Sequence, residues 1–419
     1  MSGQKFIFVA IGSDGDINPL LVIAARLKGL GHRVEFLANG YFEEKVLKAG
    51  LSFRALGDRS LYHEVLQNED IWHPRKGFQA IWKALFPTIE PTYKIILDSL
   101  EPNTVLVGST LALAARLVQE KFGVPLCTIH LAPSCIISIE EPPVGPGIVI
   151  GKSAPHWLRK LYVYTVEKLI LDGACCDDLN KLRRSLNLPA VEKVFSTWLH
   201  SPDMVLCAWS DWFGARQSDW PKAVFGGFPL FKDQGQLSGA TAAFLDAGPA
   251  AVFTAGSAMA HSADYFARAL KCIQASGERA IFVSKFRDQI AQNLPPQIHV
   301  SSYEPFDLLF SRASAVAHHG GIGTSAQCLA AGVPQLVAPF AHDQFDNAQR
   351  LKRLGVASVV DTNGSVRSWQ RELAALKQDS VILACARVKE LMNEDGAGRA
   401  CELLLEVQGL AAAVNKISL

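Results

Sequence analysis

Two segments of the same pattern, one near the N-terminus and one past the middle, most constrain the fold of this 419-residue chain. Residues 6–13, FIFVAIGS, and residues 250–257, AAVFTAGS, are each an apolar run that ends in a Gly-Ser turn. After each of them, short apolar runs alternate with helical segments, a pattern typical of parallel sheets with helices on both faces. The sequence therefore predicts an α/β chain of two Rossmann-like domains that face each other across a cleft.

The chain is too long for one ordinary core, and its composition indicates where it divides. Residues 230–242, LFKDQGQLSGATA, are polar and contain glycine, as a linker does. We predict an N-terminal domain at 1–232, a C-terminal domain at 233–400 and a helical tail at 401–419. The first helix is expected to start near Asn18, with Pro19 in its first turn and Gly31 just past its end.

Charge and cysteine usage exclude several classes of protein. The formal net charge is +1, which gives no electrostatic basis for binding nucleic acid. The nine cysteines lack the spacing of zinc ligands and suit buried positions in a reducing cytosol. The N-terminal KFIFVA runs directly into a Gly/Asp turn, and no apolar stretch reaches about 18 residues. The sequence therefore predicts a cytoplasmic chain with neither a signal peptide nor a transmembrane helix.

A segment rich in histidine and glycine, HHGGIGTSAQ at 318–327, lies between a predicted strand and a predicted helix. A helix that begins at these glycines presents unpaired N–H groups and the positive end of its dipole. A diphosphate suits such a site, and the alternative is a tight turn whose glycines serve packing only. The residues expected to meet the anion are His318, Gly320, Gly321, Gly323 and Thr324, with the hydroxyl of Ser325 as a further donor.

Other polar or aromatic side chains follow neighbouring strands. Asp343 and Gln344 come after the next strand, where a carboxylate beside a carboxamide suits the vicinal hydroxyls of a sugar. The alternative is a helix N-cap at Asp343 or Asp346. Tyr303 follows a strand and could stack on a nucleobase or belong to the core, and Ser257 lies on a turn where it could meet a phosphate oxygen.

An aspartate in the first turn of the chain is the candidate general base. In IGSDGDINPL, Asp16 lies at a strand's end, where its carboxylate could accept a proton from an incoming hydroxyl. The alternative is a capping role at the start of the helix. The residues DGD also spell the D-x-D pattern of some metal-binding transferases, but a helix terminus already supplies positive potential for a leaving diphosphate, so no metal is expected.

These motifs together resemble the two-domain GT-B glycosyltransferases of family 1, the UDP-glycosyltransferase superfamily. HHGGIGT…AAGVPQLVAPFAHDQ is similar to the superfamily's donor signature, and Gly12–Asp16 match its G-S-x-G-D pattern. The resemblance implies a GT-B fold with an acceptor-binding first domain, a donor-binding second domain and no cofactor besides the nucleotide sugar. It implies diphosphate contacts at His318, Gly323, Thr324 and Ser257, base stacking at Tyr303 before Pro305, sugar contacts at Asp343 and Gln344, and a catalytic base at Asp16.

The chain departs from the plant members of that superfamily. Their catalytic histidine is absent from the first turn, and their ribose-binding glutamate aligns with Ala326. Within the superfamily, IGSDGDINP, WHPRKGFQAIW, WLHSPDMVLC, DWPKAVFGGFPLF and AHDQFDNAQRLKRLG resemble the rhamnosyltransferases of bacterial rhamnolipid synthesis. That resemblance implies inverting transfer of L-rhamnose from dTDP-L-rhamnose to a 3-(3-hydroxyalkanoyloxy)alkanoate. A UDP-glucose-dependent glucosyltransferase remains an alternative, as do a nucleotide-sugar-binding partner subunit and an epimerase, although no acidic pair suited to epimerisation is evident.

A lipid acceptor needs an apolar trough in the first domain. The candidate side chains are Trp72, Phe78, Trp82, Phe86, His130 and its neighbours to Ile139, and Trp157. The spacing of 78, 82 and 86 is also that of an ordinary core helix. Residues 151–170, GKSAPHWLRKLYVYTVEKLI, carry an excess of three positive charges and could rest on the inner face of an anionic membrane or form a solvated basic helix. An enzyme that makes the acyl ester is a possible partner.

Overall fold

The structure, a computed structural model, describes residues 3–73, 75–147 and 149–417. The chain forms two compact units, one running to Pro229 and resuming at Asp395, the other comprising Leu230–Glu394. Residues 1, 2, 74, 148, 418 and 419, which fall inside the predicted domains and tail, lie outside the described residues.

The first unit is built on a parallel sheet of seven strands in the order β3-β2-β1-β4-β5-β6-β7. β4 is buried along its whole length, as expected for a central strand covered on both faces. Residues 166–171 and 194–198 form wider π-helical turns that flank the last helix before β6. The elements are β1 Lys5–Val9, α1 Asp14–Gly29, β2 Arg33–Ala38, α2 Glu43–Lys48, β3 Ser52–Ala55, α3 Arg59–Gln67, α4 Gly77–Ser99, β4 Thr104–Ser109, α5 Leu113–Phe122, β5 Leu126–His130, α6 His156–Thr165, α7 Asp172–Ser185, β6 Met204–Cys207 and β7 Ala223–Phe225.

The second unit repeats the plan with six parallel strands in the order β10-β9-β8-β11-β12-β13. Its elements are α8 Gly239–Asp246, β8 Ala251–Thr254, α9 Ala263–Ser276, β9 Ala280–Val283, β10 Ile298–Ser301, α10 Phe306–Phe310, β11 Ala315–His318, α11 Ile322–Ala331, β12 Gln335–Val337, α12 Gln344–Arg353, β13 Ala357–Val359, α13 Val366–Ala375 and α14 Asp379–Leu391. The prediction of two Rossmann-like α/β sheets is confirmed. In each sheet the strand order reverses direction beside the first strand, and ligands of such sheets bind at the carboxyl ends of the strands there.

The first helix begins earlier than the sequence predicts. Its N-cap is Ser13, whose side chain accepts from the N–H of Gly15. Asn18 lies in the second turn and accepts from Nζ of Lys45, so it does not cap the helix. Pro19 lies inside the helix, past the unpaired N–H groups of the first turn, so it has no N–H to donate to the carbonyl of Gly15. Gly31, at φ +90°, follows the helix end as predicted.

The last helix, α15 Gly396–Ile417, belongs to the first unit. It packs on α1, where Asp395 pairs with Arg26 at 2.6 Å and Sγ of Cys401 lies 3.5 Å from the carbonyl oxygen of Ile23. Leu404 is fully buried there. The predicted boundaries at 400 and 401 therefore fall inside a continuous helix, because a sequence pattern alone does not show which core receives an amphipathic helix.

The described residues include no helix with the length and apolarity needed to cross a bilayer. All nine cysteines are free thiols, and seven of them are buried.

Candidate active site

The segment between β11 and α11 is a tight glycine turn that ends at a helix N-terminus. Gly320 has φ of +90°, and a Cβ there would lie 2.8 Å from Cγ1 of Val337. Gly321 is the N-cap of α11, and among the described residues no side chain caps this helix. The N–H groups of its first turn, which includes Gly323 and Thr324, are therefore available to an anion, and the helix dipole favours negative charge there.

His318 is fully enclosed, and both of its ring nitrogens are used within the chain. The N–H of Gly320 donates to Nδ1 at 3.0 Å, which leaves Nε2 to donate to Oε1 of Gln335 at 2.9 Å. Burial, partly opposed by Gln335, lowers the pKa of His318 to about 4, so the ring is neutral near pH 7. The expectation that His318 donates to a diphosphate is corrected, since its one ring N–H is donated to Gln335 and its other nitrogen accepts from the turn.

The neighbouring His319, which the sequence analysis did not select, lies against the turns that follow β8 and β11. A Cβ on Gly256 would lie 2.5 Å from its Cε1, and a Cβ on Gly321 would lie 2.4 Å from its Nε2. Its Nδ1 is buried and has no hydrogen-bond partner in the described part of the chain. Burial and the proximity of His318 lower the pKa of His319 to about 3, so this ring is also neutral. The adjacent histidines are visible in the sequence, but only the structure shows which one faces both glycine turns.

The hydroxyls near this helix start differ in their availability. Ser325 is buried and donates to the carbonyl of Gly321 at 3.0 Å, so its predicted role as a ligand donor is corrected. Thr324 and Ser257 are only half-buried. Ser257 follows β8, whose carboxyl end lies beside that of β11. The structure thus brings the turns bearing Ser257 and Thr324 to the same edge of the sheet.

Ala326, the position aligned with the plant ribose-binding glutamate, is buried in α11 and offers no polar group. The next residue, Gln327, is a candidate that the sequence analysis missed. Its Nε2 donates to the carbonyl of Phe231 at 2.5 Å, so it reaches the beginning of the second unit's chain.

Asp343 and Gln344 lie at the start of α12, after β12, the strand beside β11. Oε1 of Gln344 accepts from the N–H groups of Phe340 and Ala341 at 2.8 and 3.0 Å, which leaves its amide nitrogen for a ligand. Oδ2 of Asp343 accepts from Nδ2 of Asn347 at 2.7 Å. The structure therefore brings the predicted sugar-binding pair together, one strand away from the glycine turn.

Asn347 links this pair to the turn, a role that the sequence analysis missed. Its buried Nδ2 also donates to the carbonyl of Gly320 at 2.9 Å. The alternative capping role for Asp343 or Asp346 is not realised. Asp343 occupies the N-cap position without a side-chain capping bond, and Asp346 is inside α12, bound to Arg350 at 2.6 Å. The sequence did contain a signal for the contact between Asp343 and Asn347, because residues four apart on a helix share a face.

Tyr303 follows β10, at the edge of the sheet, and is 55% exposed. The core alternative for Tyr303 is thus excluded. Its hydroxyl contacts Oδ2 of Asp233. The next residue, Glu304, is buried and accepts from Oγ of Ser238 at 2.6 Å and from Oγ of Ser301 at 2.8 Å. These bonds hold the loop that carries Tyr303 in place.

In the first unit, Asp16 is the third residue of α1 and completes a capping box. Its Oδ2 accepts from the N–H of Ser13 at 2.7 Å and from Oγ of Ser13 at 3.1 Å. Burial raises the pKa of Asp16 above that of a free aspartate, while the bonds from Ser13 oppose the rise. The capping alternative is therefore realised, through Oδ2 of the carboxylate.

Acidic groups suited to a metal are used within the chain. Asp14 pairs with Lys45, and Asp16 is held by Ser13. Among the described residues, one cluster has the spacing of metal ligands, formed by Asp172, Cys175 and Cys176. Asp172 accepts backbone N–H groups at 2.9 and 3.1 Å, and burial raises the pKa of Cys176 to about 12. The carboxylate of Asp172 is therefore already engaged by the backbone of residues 193 and 194.

The predicted acceptor residues fall into two groups. Trp82 and His130 are enclosed by the chain, and Nε1 of Trp82 donates to Asp178 at 3.2 Å. Nδ1 and Nε2 of His130 lie 3.0 Å from Thr110 and 2.9 Å from His200, so His130 and Trp82 offer no surface to an acceptor, and those two predictions are corrected. The half-buried or exposed candidates are Trp72, Phe78, Phe86 and Trp157.

Comparisons with known proteins match both units of the chain. Residues 6–139 match the model described as the glycosyltransferase family 28 N-terminal domain, and residues 269–395 match that of the erythromycin biosynthesis protein CIII-like C-terminal domain. A sterol 3-beta-glucosyltransferase of Arabidopsis thaliana is 28% identical over 95% of this chain and 67% of its own. The vancomycin aglycone glucosyltransferase of Amycolatopsis orientalis is also 28% identical, over 96% and 97% of the two chains. The crystal structure of the glycotransferase of kitacinnamycin has a TM-score of 0.74 at 19% identity, covering 97% and 99%.

The two Rossmann-like sheets and the matched relatives define the class: the chain is a glycosyltransferase of GT-B fold. It is an enzyme of the hexosyltransferase type, which transfers a sugar to a small-molecule acceptor.

Proposed function

We propose that this enzyme transfers L-rhamnose from dTDP-L-rhamnose to the hydroxyl of a lipid acceptor such as a 3-(3-hydroxyalkanoyloxy)alkanoate, with inversion, to give a mono-rhamnolipid. The observation that carries the proposal is the uncapped N-terminus of α11 beside the unpartnered Nδ1 of His319.

The donor site is assigned to the second unit. N–H groups of Gly323 and Thr324, the helix dipole and His319 would hold the diphosphate, and each acts more strongly as charge grows on the leaving group. Both histidines are neutral, so the positive potential comes from the backbone. Asp343 and Gln344 would accept and donate hydrogen bonds at the sugar hydroxyls. Tyr303 would stack on the base.

The acid–base step is assigned to Asp16. The acceptor oxygen bonds to the anomeric carbon as the bond between that carbon and the diphosphate oxygen breaks, and the hydroxyl proton passes to the carboxylate. General-base assistance of this kind contributes about 10²–10⁴-fold to a rate. A buried carboxylate with a raised pKa is a better base than a solvated one, provided that it is ionised at the working pH.

Rhamnose as the sugar is supported by the five segments that resemble rhamnolipid rhamnosyltransferases. The curated relatives named above are glucosyltransferases, which supports UDP-glucose as the alternative donor. A hydrophobic acceptor is supported by the sterol named for one relative. Of the predicted acceptor rings, Phe78 and Phe86 pack against the core of the first unit, as in an ordinary core helix, and Trp72 is half-buried. The free thiols support the cytoplasmic location.

A donor-and-acceptor matrix tests the proposal. The enzyme is incubated with dTDP-L-rhamnose or UDP-glucose, each with a hydroxyacyl lipid or a sterol, and products are identified by mass spectrometry. A rhamnosylated hydroxyacyl lipid is expected. A glucosylated product would establish the alternative donor, and an epimerised nucleotide sugar would indicate an epimerase. Nucleotide binding without turnover, alone or with an acyl-ester-synthesising partner added, would indicate a binding subunit.

A further inference from the structure

The stretch from Trp157 to Ile170 exposes large apolar side chains on one side. Trp157, Leu161 and Tyr164 recur at the i, i+4 and i+7 positions of α6, which places them on one face of the helix. Leu169 and Ile170 continue the surface on the π-helical turns at 166–171. Each of the five is between 47% and 72% exposed. We call these five residues the exposed face.

The opposite side of the same stretch is anchored to the first unit. Val163 is buried, and Arg159 donates to the carbonyl of Ile139 at 3.1 Å. Glu167 is buried and bonded by Oγ of Ser196. The orientation of the helix is therefore fixed by contacts within the unit, so the exposure of the apolar side is a property of the fold.

Positive charge borders the exposed face. Residues 151–170 contain four Lys or Arg residues and one acid, Glu167, which is buried. Lys152 pairs with Glu141 at 3.1 Å and Arg159 with Glu140 at 3.2 Å, so the charge that borders the exposed face is that of Lys160 and Lys168. Lys160 has no ion-pair partner among residues 3–73, 75–147 and 149–417, and Lys168 makes only an exposed contact of 3.7 Å with Glu192. A surface that joins apolar side chains, Trp and Tyr rings and lysines matches the interface of an anionic membrane.

We propose that the exposed face docks on an anionic phospholipid membrane, with α6 lying in the plane of the interface. Trp157 and Tyr164 would sit at the headgroup level, where amphipathic rings are favoured, and the leucines would enter the acyl boundary. Docking itself does not depend on the proposed function. Only its biological role rests on that function, namely that a docked enzyme would take its acyl acceptor from the bilayer.

Vesicle flotation tests the docking without donor or acceptor. The protein is mixed with vesicles of phosphatidylcholine alone or of equal parts phosphatidylcholine and phosphatidylglycerol. Flotation with the anionic vesicles is expected, and added salt should reduce it. The double variant Leu161→Ser/Leu169→Ser should lower partitioning at least about tenfold, because buried apolar area sets the affinity. Its matched control is Ile382→Ser/Leu383→Ser on α14, two exposed apolar residues of the other unit, which should float as the wild type does.

Charge and depth are tested separately. Lys160→Glu should weaken binding to anionic vesicles, whereas Lys271→Glu, an exposed lysine on α9, should not. Vesicles with brominated acyl chains should quench tryptophan fluorescence in the wild type and not in Trp157→Phe. Three results would overturn the proposal: no flotation of the wild type, equal flotation of the leucine variant, or a concentration-dependent dimer that those same substitutions abolish.

The docking and the proposed function fail in different ways. Turnover on a detergent-dispersed acceptor should be unchanged by Leu161→Ser/Leu169→Ser, since these residues are outside the proposed catalytic machinery. Flotation without glycolipid formation would remove the proposed acceptor and keep the docking. Glycolipid formation without flotation would keep the proposed acceptor and remove the docking.

Discussion

Nδ2 of Asn347 lies 2.7 Å from Oδ2 of Asp343, and the same nitrogen donates to the carbonyl of Gly320. One buried amide thus holds the glycine turn and the proposed sugar-binding carboxylate in a fixed relation. Asn347 touches no substrate in the proposed reaction and acts as a positioning residue.

Replacing Asn347 should therefore impair turnover more than nucleotide binding. Asn347→Ala leaves two acceptors without a donor, at a cost of about 1–3 kcal/mol in the free energy of unfolding. We expect a fall of at least about tenfold in kcat, with a smaller change in the Kd of the nucleotide diphosphate measured by calorimetry. Equal loss of kcat and nucleotide affinity would argue against the positioning role. Gln349→Ala, on the same helix α12, is the matched control.

The two adjacent histidines should give opposite phenotypes. His318→Ala removes the acceptor for Gly320 and the donor to Gln335, so it should lower the free energy of unfolding by about 1–3 kcal/mol. His319→Ala should leave the free energy of unfolding unchanged. It should weaken nucleotide diphosphate binding by about 10–100-fold, which corresponds to the loss of one hydrogen bond to a charged group. Thermal denaturation and calorimetry separate the two. Unchanged affinity in His319→Ala would remove that residue from the donor site.

The pH profile of kcat/KM should report the ionisation of Asp16. Activity requires the carboxylate, so kcat/KM should fall as the pH falls through the raised pKa of Asp16. Ser13→Ala removes a bond that lowers this pKa, so the acidic limb should move to higher pH. Asp14→Asn removes a neighbouring negative charge that raises it, so the limb should move to lower pH. Asp16→Asn should fold, bind nucleotide and lose about 10²–10⁴-fold in kcat. If neither Ser13→Ala nor Asp14→Asn moves the acidic limb of the profile, the titration belongs to a group other than Asp16.

Alanine at the glycines should separate folding from binding. Gly321→Ala places a Cβ 2.4 Å from Nε2 of His319 and should weaken nucleotide binding by displacing the ring. Gly320→Ala, at φ +90° and 2.8 Å from Val337, should lower stability by more than about 1 kcal/mol. Gly29→Ala is the control, because a Cβ there meets nothing within 4 Å and a helical alanine is favoured by about 1 kcal/mol. Destabilisation by Gly29→Ala as large as that by Gly320→Ala would contradict the argument.

The proposed mechanism requires no divalent cation. The first-turn aspartates are bound to Lys45 and Ser13, and the end of α11 supplies the positive potential. We therefore expect initial rates to be unchanged within about twofold after dialysis against EDTA, since no Lewis acid contributes. A loss that magnesium or manganese restores would show that the diphosphate is held through a metal.

Much of the fold was predictable from the sequence because periodicity and glycine turns are local signals. The strand-and-turn repeats gave both parallel sheets, and the polar stretch at 230–242 lies at the observed junction near Pro229. Which histidine lies against both glycine turns was not predictable, since it depends on how Gly256, on the turn after β8, packs against His319. The burial of His130 likewise depends on Thr110 and His200, both distant in sequence. Such contacts are set by tertiary packing and leave no periodic trace.

Helix α15 returns the chain to the first unit after Glu394, which makes the second unit an insertion with two joints. To exchange donor specificity between relatives, the second unit therefore has to be replaced as a segment with junctions at both 229/230 and 394/395. A chimera joined only at the first junction would replace the α1 partner along with the second unit, and would bring a foreign helix to the surface that holds Arg26 and Ile23.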